Sequence, residues 1–143
     1  MNIRVSGATR IRLAGLAVAS LLARGVEAQP PAQPPAAMSP VGIWRGTSVC
    51  LVRPSACNDE IVVYRIARAK AADSLTVDAR KIVRGEEQEM GVLTCRFTSP
   101  SGPLTCAIPQ GTWQFRVRND SLVGELRLPD NTKFRDVRTI RAP

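Results

Sequence analysis

Four cysteines, Cys50, Cys57, Cys95 and Cys106, and the adjacent carboxylates Asp59 and Glu60 are the side chains of this chain whose types and spacing invite a chemical reading. Four thiolates can hold zinc, an activated thiolate can act as a nucleophile, and two carboxylates facing one substrate can share acid and base work. The spacings argue against all three. A zinc ribbon needs two close C-x2-C knuckles, whereas here the members of each pair stand well apart in sequence. The chain contains no histidine, which removes His-ligated metals, Ser-His-Asp triads and Cys-His pairs. Neighbouring residues of a strand point to opposite faces, so Asp59 and Glu60 do not converge on one substrate. They read as solvated turn charge, as do Glu86, Glu87 and Glu89. No enzyme, metal or other cofactor is expected.

Disulfides remain. Four cysteines allow three pairings, and the spacing favours the local one. Folding the TSPSGP stretch as a hairpin about Ser99 to Gly102 brings Cys95 directly opposite Cys106, a facing position within disulfide reach across antiparallel strands. Cys50 and Cys57 likewise bracket the turn LVRPSA. Disulfides imply an oxidising compartment, and the amino terminus agrees. Arg4, Arg10 and Arg12 precede the uncharged run Leu13 to Ala23, too short to span a bilayer, and small residues follow at Val26 and Ala28. Residues 1–28 therefore read as a signal peptide, residues 29–40 as a Pro/Ala-rich linker, and residues 41–143 as the folded domain. The expected location is exported, periplasmic or secreted. Four arginines and one glutamate would leave with the leader, lowering the formal charge from +8 to +5.

The elements that must position these residues are strands. Eight short alternating or apolar runs, 44–52, 60–68, 74–83, 89–98, 104–109, 112–118, 121–128 and 132–141, are separated by turn-forming residues. Trp113, Phe115 and Val117 alternate with Gln114, Arg116 and Arg118, the period of a half-buried strand. No segment in the domain carries an apolar stripe at helical spacing. Eight short strands joined by tight connections predict an all-β, eight-stranded antiparallel up-and-down barrel, since an open sheet would leave exposed edges. One face of the strands repeatedly bears Arg, Glu, Lys and Gln, so a membrane-spanning barrel is not expected.

Gly42, Ile43 and Trp44 at the first strand resemble the G-x-W signature that opens the barrels of the calycins, the superfamily of lipocalins, fatty-acid-binding proteins and avidins. That resemblance implies a lipocalin-like barrel closed by an arginine from the last strand over the tryptophan, with Arg135, Arg138 and Arg141 as the equivalents. Guanidinium over indole is a favourable cation–π contact. The stretch GIWRGTSVCLVRPSACNDEIVVY is also similar to a group of small exported bacterial proteins of unknown function with a W-x-G-x-S-x-C…C-x-D-E-x-V-x-Y pattern.

The functional expectation is a non-enzymatic barrel that binds a small apolar or amphipathic ligand. Its candidate lining is Trp44, Val63, Val77, Val92, Trp113, Phe115, Leu126 and Phe134, with Tyr64 a further member of an aromatic wall. The alternative is an envelope interaction or inhibitor module with a filled barrel, acting through a loop such as Arg53 to Glu60. The arginines are interleaved with carboxylates and the aromatics are few, so nucleic acid is not an expected partner, whereas an envelope protein or an anionic glycan or lipid is.

Overall fold

A computed structural model describes residues 39–98 and 102–143. The expected signal peptide and all but Ser39 and Pro40 of the expected linker lie outside the described residues. The chain forms strands β1 (Gly42–Cys50), β2 (Glu60–Arg68), β3 (Ser74–Val83), β4 (Glu86–Arg96), β5 (Leu104–Ile108), β6 (Gly111–Arg118), β7 (Ser121–Arg127) and β8 (Lys133–Arg141). Each pairs antiparallel with the next, and β8 returns to β1, closing an all-β barrel. Among the described residues no helix is long and apolar enough to cross a membrane.

Strand alternation turns one set of side chains inward. Trp44, Val62, Tyr64, Ile66, Leu75, Val77, Leu104, Phe115, Leu122 and Val137 are buried there. The observed β4 begins at Glu86, earlier than its apolar pattern. The cause is the turn before it: Arg84 and Gly85 both have positive φ, +53° and +88°, the left-handed pair that suits a tight two-residue hairpin. That turn keeps Val83 paired with Glu86 and Ile82 with Glu87, although these glutamates face solvent.

Both disulfides are present, Cys50–Cys57 and Cys95–Cys106, with Cα separations of 6.0 and 4.3 Å. The pairing of Arg96 with Thr105 sets Cys95 across from Cys106, as the hairpin reading requires. That is the one paired register position between β4 and β5, whereas the other junctions are paired along most of their length. The buried sulfur bridge therefore supplements a thin junction. The first disulfide closes a loop at the opposite end of the barrel. There the Asp59 carboxylate accepts the Cys50 N–H at 2.8 Å and pairs with Arg53 at 2.9 Å.

Trp44 is fully buried and plugs one end. Its Nε1 donates to the Pro40 carbonyl at 2.7 Å, and the Arg141 guanidinium lies 4.2 Å from the ring centroid. Arg141 also donates to the carbonyls of Val41 at 2.9 Å and Ser39 at 3.0 Å, tying the lead-in segment to the last strand. Of the three arginines considered for this position, Arg141 occupies it because it is the register partner of Trp44. Arg135 stands opposite Cys50, toward the other end. Arg138 has the wrong parity, and its side chain points outward, 79% exposed, to Asp136.

Candidate functional site

The lateral row that starts at Tyr64 on β2 continues to Ala79 on β3 and Gly91 on β4. One methyl and one hydrogen fill little of the inner wall there. The result is a cavity of about 300 Å³, lined mainly by Tyr64, Val77, Ala79, Leu93, Trp113 and Phe115. Trp113 stacks on Phe115 with centroids 5.5 Å apart and planes at 9°. Tyr64 meets Phe115 edge-on, at 5.4 Å and 62°. Phe115 lies flat against β7 because Gly124 opposes it: a Cβ there would stand 2.4 Å from Phe115 Cδ1. The rim includes Met90, Pro109 and Gln110, all exposed, so the cavity opens between upper β4 and the end of β5, where the two strands are unpaired. Two other depressions, of about 350 and 430 Å³, have mainly outward-facing or turn residues in their walls.

Beside the aromatic wall the barrel interior is polar. Arg135 Nη1 donates to Ser48 Oγ at 2.8 Å and lies 3.1 Å from the Glu60 carboxylate, while Nη2 donates to the Asn58 carbonyl at 2.9 Å. Lys81 Nζ approaches the other Glu60 oxygen at 3.8 Å. The Tyr64 phenol lies within electrostatic reach of Arg135 and Glu60. Two cations thus surround one carboxylate, leaving a positive excess at the edge of an apolar space, and Tyr64 belongs to both halves.

Burial pushes the Tyr64 phenol well above its ordinary value, against the weaker opposing pull of Arg135. A raised native pKa means stability that is complete below the ordinary value of 10.0 and is lost as pH rises above it. This is the single tyrosine of the chain, so tyrosinate absorbance reports it alone. We expect no tyrosinate signal from native protein near pH 10, its appearance together with unfolding at higher pH, and a gentler alkaline loss of stability in Tyr64→Phe.

Of the expected lining, Val77, Trp113 and Phe115 border the cavity. Leu126 is buried on the inner face beside Trp113, and Trp44 forms the floor. Three assignments need correction. Val92 is 59% exposed on the outer wall, because the buried disulfide fixes Cys95 inward and parity turns Val92 out. Val63 is buried but outside the barrel, flanked by Arg45 and Arg80, whose long stems can shield it from water. Phe134 falls in a register irregularity, between the pairs Leu126 with Arg135 and Arg127 with Lys133, and is half-buried away from the cavity.

Sequence reasoning missed the polar half of the site. Glu60 reads as turn charge beside Asp59, yet it shares parity with Val62 and Tyr64, and that parity was the available signal. Arg135 is separated from Glu60 by about half of the chain, and only closure of the ring brings them together. Comparison of the chain with protein-family models, with curated proteins and with solved structures returned no match.

Proposed function

We propose that this protein is an exported, calycin-like, non-enzymatic barrel that holds a small amphipathic molecule. The apolar part lies against Trp113 and Phe115, and the polar part lies toward Tyr64, Lys81 and Arg135. The observation that carries the reading is the aromatic-lined cavity at the end of the barrel away from Trp44. Two disulfides fit an oxidising compartment. The cavity volume sits at the lower bound of small-molecule sites, about 300 to 1,000 Å³, so the guest has the size of a ring system or a short chain.

Anilinonaphthalene sulfonate, an amphipathic anion that fluoresces in apolar surroundings, tests this. We expect saturable fluorescence enhancement, competition by decanoate, and a shift of Trp113 emission on binding. Ala79→Leu should weaken binding by about tenfold or more by filling the cavity. Absence of dye enhancement together with unchanged tryptophan emission at saturating decanoate would sink the proposal.

A further inference from the structure

A separate feature lies on the outer wall. Strand pairing sets Arg45, Ile140, Ser121 and Arg118 in one lateral row across β1, β8, β7 and β6, and Thr47, Arg138, Val123 and Arg116 in the next. All eight alternate with inward residues such as Trp44, Leu122 and Thr139, so both rows face outward. Arg45, Arg116 and Arg118 form no salt bridge among the described residues, and Arg138 meets only Asp136. Elsewhere on the wall several arginines are matched, as in Arg65 with Glu87, Arg80 with Asp78 and Arg127 with Glu125, while Arg68 and Arg96, without a salt bridge among the described residues, stand singly at strand ends.

Four carboxylates border the rows. Asp136 is held by Lys133 and Arg138, Glu125 by Arg127 and Lys133, Glu87 is paired with Arg65 and only within electrostatic reach of Arg45, and Asp120 is exposed in the β6–β7 turn. Four guanidinium groups therefore project with little compensation. Between them Ile140 is 65% exposed, the most exposed large hydrophobic side chain described, and Ile43 nearby on β1 is 39% exposed.

We propose that this four-strand face docks on the surface of an anionic lipid bilayer. Guanidinium groups would meet lipid phosphates while the isoleucines enter the boundary between headgroups and acyl chains. The pairing of charge with exposed apolar side chains favours this partner over the other anions. A glycan would leave the isoleucines in water, and a nucleic acid would want stacking aromatics, of which these two rows contain none. A second copy of the same face would be repelled by like charge. The proposal does not depend on the cavity.

The test uses the protein as released by an exporting cell, mixed with phosphatidylcholine vesicles that contain or lack phosphatidylglycerol, followed by sedimentation. Binding should require phosphatidylglycerol and fall steeply with salt. Arg45→Glu/Arg118→Glu should lose roughly a hundredfold in affinity, and Ile140→Ser about tenfold, with circular dichroism unchanged. Arg84→Glu, a charge reversal in the β3–β4 turn, should bind almost normally. Three results would each overturn the proposal. These are equal binding to neutral vesicles, retention of binding by the double variant, and equal losses in Arg84→Glu and the double variant. Tight binding to a soluble acidic polysaccharide, unaffected by Ile140→Ser, would also overturn it by identifying a glycan as the partner.

Discussion

Replacing Trp44 with alanine is expected to cost about 3 to 5 kcal/mol of stability, the largest loss from any single truncation in the barrel. The indole is fully buried, its N–H satisfies the Pro40 carbonyl, and its face receives Arg141. Removal leaves a cavity at the floor, an orphaned carbonyl and a guanidinium without its ring. Domains of this size have about 5 to 15 kcal/mol in total, so Trp44→Ala stands near the threshold of folding. Urea unfolding monitored by circular dichroism checks this: the midpoint should fall sharply, and far more than for Arg138→Ala, whose side chain points into solvent. Equal midpoints for Trp44→Ala and Arg138→Ala would show that the floor contributes nothing.

The second large effect concerns the buried sulfur bridge. Cys95→Ala/Cys106→Ala should cost about 3 kcal/mol from the loop entropy restored to the unfolded chain, since the bridge closes a separation of 11 residues. Cys50→Ala/Cys57→Ala, with a separation of 7, should cost only slightly less on that ground alone. The two differ in the native state. Loss of Cys95–Cys106 leaves β4 and β5 joined by little else, beside the cavity mouth, whereas loss of Cys50–Cys57 frees a loop that Asp59 still organises through Cys50 and Arg53. Urea titration of both double variants should therefore be accompanied by altered dye binding in the first. Matching dye affinities in the two would remove the link between the bridge and the cavity.

The architecture was legible because its signals are local. Alternating runs, turn residues and the placement of Cys95 opposite Cys106 each follow from a few neighbouring residues, and the wall and its sulfur bridges have that origin. The floor was legible as a resemblance, but choosing Arg141 among three arginines needed the register of β1 against β8, set by ring closure across the chain. The candidate site was half legible. Trp113 and Phe115 announce themselves by type and period. Val92 was misplaced because parity in β4 was not anchored to the inward Cys95, and Phe134 because no pattern announces a register irregularity. The Ser48, Glu60 and Arg135 cluster joins strands from both ends of the chain and leaves no mark in any short window.

The brevity of the contact between β4 and β5 has a dynamic consequence. Opening a barrel elsewhere means breaking a ladder of backbone hydrogen bonds, but here the amides of β4 above Cys95 that face β5 have no partner strand. Small excursions of the β3–β4 hairpin can widen the gap without unfolding the rest. In native-state deuterium uptake these amides should label first among the strand residues, while those bridging β1 and β8 label last, even though the latter join the two ends of the domain.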